Sequence, residues 1–228
     1  MCSENTSRTT FPLCTACKSA LFSAPSLCEK CGSTTPDCRT RGDHQDTPHC
    51  IRPWREVKGI ASYSSRYLMI SHTHQVLRQW KKKGGVLFSK QIFSPSDRLI
   101  QEWKNFRPDL IVPIPQSYER AWKLGGSRTE EICDWISNEI EIPWASLIKI
   151  NPKKSQAKLD VWDRMRNGNR FELKSTPLIG KFKNIILVDD FITTGKTIRD
   201  AAQILLSSGV ESVHCFSLGI RPDRPHLK

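Results

Sequence analysis

No stretch of this chain approaches the roughly 18 consecutive apolar residues of a membrane-spanning helix, so no span is expected. The opening MCSENTSRTT has neither a basic leader nor an apolar core, and it does not read as a secretory signal. Cys2 likewise lacks the apolar leader that a lipoprotein signal needs. An acidic excess is missing too: 35 Lys and Arg against 23 Asp and Glu leave a net charge of +12. One further absence excludes a function class. Gly195-Lys196-Thr197 closes the nucleoside-triphosphate loop G-x-x-x-x-G-K-[ST], but Asp190 stands where its first glycine belongs. A nucleoside triphosphatase is therefore not expected, and a cytoplasmic location is.

The most informative segment present is Ile185 to Thr197, IILVDDFITTGKT. A buried apolar run, Ile185 to Val188, ends in two adjacent carboxylates, Asp189 and Asp190. A turn made of Thr193, Thr194, Gly195, Lys196 and Thr197 follows, and an amphipathic helix then begins. Loop and helix N-terminal N–H groups present unpaired donors and a positive dipole end to a phosphate, and Thr hydroxyls add further donors. The carboxylates at the strand end can accept from ribose hydroxyls or sit near Mg²⁺. The segment resembles the phosphoribosyl-pyrophosphate (PRPP) signature of type I phosphoribosyltransferases, in which two acids after a hydrophobic strand precede a T-T-G-x-T loop.

At 228 residues the chain has room for one α/β domain and a small appendage, here divided at 1–50 and 51–228. The first 50 residues carry five basic and five acidic side chains, so the whole positive excess lies beyond them. That charge suits an anionic ligand, PRPP or nucleic acid, or simply a solvated surface. Nine cysteines without an export signal favour metal ligation over disulfides. Cys14-x2-Cys17-x10-Cys28-x2-Cys31 forms two knuckles, each placing two sulfurs on one turn, and together they complete a tetrahedron for structural Zn²⁺. Cys38, His44, His49 and Cys50 leave a second metal site open, and the stretch Gly32 to Pro48 reads as a linker. Cys133 and Cys215 fall in helical and strand patterns and read as core thiols.

The middle of the chain reads as a strand over Glu56 to Tyr63, a helix over Tyr67 to Lys82 and a helix over Asp97 to Phe106. Lys81-Lys82-Lys83-Gly84-Gly85 is a helix stop whose lysines are either solvated or in reach of phosphates. Asp109 to Pro115 reads as a buried strand running into a loop, Gln116 to Gly126, that carries Arg120 and Lys123. These two are candidates for a pyrophosphate or ordinary surface cations. Ser127 and Glu130 read as a capping box for a helix over Arg128 to Ile140. The end of the chain reads as a βαβ unit: helix Thr197 to Ser207, then strand Ser212 to Leu218.

The four-cysteine module, the basic helix, the strand ending P-x-P and the terminal VDDxxTTGxT together resemble the ComF family, associated with bacterial competence and DNA uptake. Gln156, Leu159, Arg164, Asn167 and Phe171 match that family's Q-x-x-L and R-x-x-N-x-x-x-F spacing. The resemblance implies a type I phosphoribosyltransferase fold: a parallel sheet flanked by helices, with a small zinc-binding module ahead of it. It also implies PRPP bound as its Mg²⁺ complex. Thr193 to Thr197 would hold the 5′-phosphate, Asp189 and Asp190 the ribose hydroxyls and metal environment, and Arg120, with Lys123, the pyrophosphate. One departure stands on that last side, where Leu124-Gly125-Gly126-Ser127 replaces the family's R-G-F-N. Three functions follow: a phosphoribosyltransferase with an unassigned acceptor, a PRPP- or nucleotide-sensing module without catalysis, or a factor handling single-stranded DNA alongside other competence proteins.

Overall fold

The computed structural model describes residues 13, 15–28, 34, 58–83, 86–94, 96–151, 170–175 and 181–222. In chain order these form α1 (Thr15–Ser19), β1 (Ile60–Leu68), α2 (Ser71–Lys83), α3 (Val86–Ile92), α4 (Asp97–Phe106), β2 (Leu110–Pro113), α5 (Tyr118–Leu124), α6 (Arg128–Ile140), β3 (Ile148–Ile150), β4 (Phe171–Leu173), β5 (Asn184–Ile192), α7 (Lys196–Ser207) and β6 (Ser212–Ile220). The main sheet has four strands in the order β1-β6-β5-β2, every pair parallel. β3 and β4 form a separate antiparallel pair. This is the expected α/β architecture, a parallel sheet flanked by helices.

Burial on both faces explains the continuous apolar runs of the central strands. Side chains alternate along β5. Ile185 and Leu187 join Leu110, Val112, Val213 and Cys215 under α7, which contributes Ile198, Ala201, Ala202 and Leu205. Ile186 and Val188 join Ile111, Phe216 and Leu218 on the opposite face, where α2, α4 and α6 supply Leu77, Trp80, Trp103, Ile132 and Ile136. Trp103 meets Phe216 edge-on at 5.1 Å between ring centroids. Cys133 and Cys215 are fully buried, as their patterns implied.

Both sheet edges are covered, which removes the unpaired backbone that invites strand addition. Ala24 N–H donates to the Arg66 carbonyl at 3.0 Å and Leu68 N–H to the Phe22 carbonyl at 2.9 Å, so residues 22–24 run along β1. Along β2, Ile111 N–H donates to the Pro143 carbonyl and Ala145 N–H to that of Ile111, each at 3.0 Å.

Several boundaries differ from the sequence reading. The apolar run read as ending at Val188 continues as β5 through Ile192, where Phe191 and Ile192 pair with Gly219 and Ile220, so Asp189 and Asp190 lie within the strand. The first strand is Ile60–Leu68 rather than Glu56 to Tyr63, of which 56–57 lie outside the described residues, and α2 begins at Ser71 rather than Tyr67. Tyr67 and Leu68 are held in the strand by pairing with Gly219 and Ile220 of β6, a distant contact that outweighs their helical spacing. The segment Gln116 to Gly126, read as loop, contains α5, closed by Gly125 in the left-handed region at φ 68°. Ser127 does cap α6, accepting from the Glu130 N–H at 3.4 Å.

His214 of β6 is buried between two hydroxyls, Ser62 Oγ at 2.6 Å and Ser64 Oγ at 2.7 Å. Burial lowers its pKa to about 4. The unfolded chain takes a proton below about pH 6.5 that the folded chain refuses, so stability is full above that pH and falls as pH drops toward 4. The loss amounts to about 3 kcal/mol at about 1.4 kcal/mol per pKa unit. Relative to wild type, the thermal midpoint of His214→Gln should rise as pH falls between those two values; a difference between the two proteins that does not change with pH would refute the assignment.

Candidate functional site

All strands of the main sheet run the same way, so the segments after β1, β2 and β5 gather at one edge, the usual place for a ligand in such sheets. Ile114 N–H donates to the Val188 carbonyl at 2.8 Å, bringing the segment after β2 directly against the acid pair. The strand pleat then separates the two acids. Asp189 continues the α7 face, where its charge reaches Cys215 and adds to the burial that raises that thiol's pKa. Asp190 continues the opposite face toward α2.

Asp190 is 5% exposed and fully engaged. Its Oδ2 accepts from Lys81 Nζ of α2 at 2.5 Å and from Gln116 Nε2 at 3.3 Å, while Oδ1 accepts from the Phe191 N–H at 2.7 Å. Asp189 Oδ1 accepts from the Asp190 N–H at 2.8 Å. Burial, and next the neighbouring Asp190 charge, raise the Asp189 carboxyl to about 7. Hard carboxylate oxygens suit a hard cation such as Mg²⁺. The pair already holds one cation, the Lys81 ammonium.

Beyond Ile192 the chain turns through Thr193 and Thr194, both exposed, to Gly195 at φ 74°, the N-cap of α7. A side chain there would be strained, so glycine is required at this point. Thr194 Oγ1 accepts from the Lys196 N–H at 3.4 Å, and Thr197 is half-buried in the first turn. Lys196 turns along its own helix to Asp200 at 2.9 Å. Thr193 to Thr197 and the acid pair thus lie together at the sheet edge.

Beside them is a cleft of about 490 Å³ between α2 and α5. Arg78, Lys81 and Lys82 line one wall, and Ser117, Glu119 and Lys123 the other. Lys123 lines this cleft, whereas Arg120 is placed on α5 by its backbone alone. Arg78 and Gln116 carried no local signal; the Lys81 run did, as a basic helix end, without showing that Lys81 reaches an acid. Leu124 lies at the end of the cleft, with Gly125 and Gly126 both at positive φ after it.

Cys17 is half-buried on α1, and Cys28 is buried against the α7-side core. Cys14 and Cys31 lie outside the described residues, as do Cys38, His44, His49, Cys50 and the segment from Gln156 to Asn167. Phe171 is buried on β4. Among the described residues no helix is long and apolar enough to cross a membrane.

Residues 136–227 match the phosphoribosyl transferase domain model. The DNA utilization protein YhgH of Escherichia coli O157:H7 is 26% identical over 220 residues, covering 90% of this chain and 89% of its own length. The competence protein ComFC of Bacillus subtilis (strain 168) is 33% identical over 130 residues, 57% of this chain and 50% of the relative. Among solved structures, adenine phosphoribosyltransferase from Leishmania tarentolae aligns at 16% identity with a TM-score of 0.38, over 67% of this chain and 90% of its own. The chain is thus similar over most of its length to a DNA utilization protein and over about half of it to a competence protein, and its residues 136–227 match the phosphoribosyl transferase domain.

Proposed function

We propose that this chain binds PRPP as its Mg²⁺ complex and transfers the phosphoribosyl unit to a nitrogen nucleophile, in the service of DNA uptake or use. The observation that supports this reading is that Asp189 and Asp190 lie in the C-terminal part of β5, four and three residues before the Thr193 to Thr197 turn, with Asp190 paired to Lys81, a residue that also lines the basic cleft. The turn and the α7 N-terminus would hold the 5′-phosphate through N–H groups and Thr hydroxyls. The acids would accept from the ribose hydroxyls, fixing the sugar with C1 toward the cleft. Lys123, Arg78 and Lys82, with Arg120 on the same helix as Lys123, would face the pyrophosphate.

In the reaction the C1–O bond breaks, pyrophosphate leaves with the bonding pair, and the nitrogen lone pair forms the new C1–N bond. Positive charge develops on the sugar between these events, so positioning and electrostatics are the protein's main contributions. Mg²⁺ carried with PRPP supplies charge neutralisation on the departing pyrophosphate. No side chain is assigned as a general base. Cys14, Cys17, Cys28 and Cys31 would hold a structural Zn²⁺, which metal analysis of fresh, reduced protein reads directly. Release of pyrophosphate from PRPP against a panel of nitrogenous bases tests transfer. Tight PRPP binding with no release from any of them would leave a sensing module instead.

A second reading, single-stranded DNA handling, is favoured by one specific observation. Tyr118 and Trp122 of α5 are 80% and 76% exposed and stack on each other at 6.4 Å between centroids, on the helix that walls the basic cleft. Aromatic faces beside cations are how sequence-tolerant single-strand binding is built. Tyr118→Ala with Trp122→Ala should weaken single-stranded DNA binding about tenfold or more, at about 1–3 kcal/mol per stacked base. Wild-type affinity should fall steeply with salt. A flat salt response, or equal affinity of the double variant, would refute this reading.

A further inference from the structure

Lys81 belongs to both halves of the site. Its ammonium lies 2.5 Å from Asp190 Oδ2 and 4.5 Å from the centre of the Phe191 ring, yet the same side chain lines the cleft with Arg78, Lys82 and Lys123. The ion pair is largely screened from solvent, its side chains 18% and 8% exposed. Trp80, the residue before it, is fully buried, which fixes the last turn of α2 against the core. A lysine on a four-carbon stem has several rotamers from one fixed Cα, so its ammonium can move between neighbouring acceptors while the helix stays still.

We propose that Lys81 is a positioning residue that couples the cleft to the acid pair. While the cleft is empty, Lys81 neutralises Asp190 and occupies the oxygen that a ribose hydroxyl or a cation would use. An anion entering among Arg78, Lys82 and Lys123 brings a competing charge beside the ammonium. Lys81 then turns to the anion, and Asp190 Oδ2 is released. Filling of the cleft thereby prepares the acid pair for the sugar, and Asp190 restrains the cleft's affinity until then. The Phe191 face supports the ammonium through its quadrupole without fixing it to one oxygen.

This inference rests on the reading of the cleft as the pyrophosphate side, and the probe is chosen so that the two fail separately. Inorganic pyrophosphate, titrated calorimetrically into the full chain in metal-free buffer, reads the cleft alone. Wild type should bind it. Lys81→Met should bind about tenfold more weakly, the size expected for one lost charge-assisted contact, and Lys81→Arg should stay within about threefold of wild type. Asp190→Asn should bind more tightly than wild type, about threefold or more, because its competing acceptor for Lys81 is gone. That gain should vanish in the Lys81→Met, Asp190→Asn double variant. A gain that persists there would mean that Asp190 acts only through its general field, and would overturn the coupling. So would unchanged binding by Lys81→Met, a Lys81→Arg variant as weak as Lys81→Met, or no pyrophosphate binding by wild type. PRPP binding by wild type alongside any of those results leaves the proposed function intact. The full pyrophosphate cycle with no PRPP affinity removes the proposed function and keeps the coupling.

Discussion

Asp189→Asn is expected to abolish PRPP binding and to raise stability in the same molecule. The affinity loss should be about a hundredfold or more by calorimetry in Mg²⁺, since a charged acceptor of ribose hydroxyls is neutralised. The stability gain has a separate origin. The Asp189 carboxyl is raised to about 7, first by burial and then by Asp190, so it costs the folded state most when ionised. Its unfolded value lies near 3.9, which means the cost grows as pH rises from about 4 to about 7 and is complete above that. Asp189 is partly exposed at the site's rim, so solvent relieves part of it, and a gain of about 2 kcal/mol at pH 8 is expected. The gain should disappear toward pH 4. Asp190→Asn should also lose PRPP affinity, but without becoming more stable, because Lys81 is left half-buried without its carboxylate. Unchanged PRPP affinity in both variants would remove the acid pair from the site.

The second large effect is on the wall of the cleft. Arg128 is 2% exposed at the start of α6. One guanidinium nitrogen bonds Glu131, and the other donates to the Leu124 carbonyl at 2.9 Å, tying down the C-terminal end of α5. Its centre lies 5.9 Å from the Trp80 ring, and Trp80 in turn donates to Ser89 Oγ at 3.0 Å. Ser89 Oγ lies 3.0 Å from Glu131 Oε2, which closes a ring of contacts joining α2, α3, α5 and α6. Arg128→Ala should cost about 3 kcal/mol in urea denaturation, combining a cavity with the loss of the bonds to Glu131 and the Leu124 carbonyl. Arg128→Met, which keeps the volume and removes the charge, should recover about half of that. A cost below about 0.5 kcal/mol for Arg128→Ala would show that this ring does not hold the cleft.

Which of these features the sequence revealed depends on whether their causes are local. The run from Ile185 to Thr197 could be read because strand, acids, turn and helix follow one another without interruption, and each residue's role is set by its neighbours in the chain. Capping by Ser127 was legible for the same reason. Tyr67 and Leu68 misled because their place is decided by β6, far along the chain. The helix α5 went unread because it is short and displays Tyr118 and Trp122 to solvent, so it has no apolar stripe to detect. Arg128 was legible only as the first residue of a helix, and it is the packing of α6 beside Trp80 that buries it. Lys81 was visible as a basic helix end, but its pairing with Asp190 joins elements that only the parallel sheet brings together.

The central claim, that a phosphorylated ribose is held between the Asp189–Asp190 pair and the turn at Thr193 to Thr197, is tested most directly by amide hydrogen exchange on the full chain with saturating PRPP and Mg²⁺. Slowed exchange at the N–H groups from Thr194 to Ile198, absent in the Asp189→Asn, Asp190→Asn double variant, is the expected result. Exchange at those amides that PRPP leaves unchanged in the wild-type protein would contradict it.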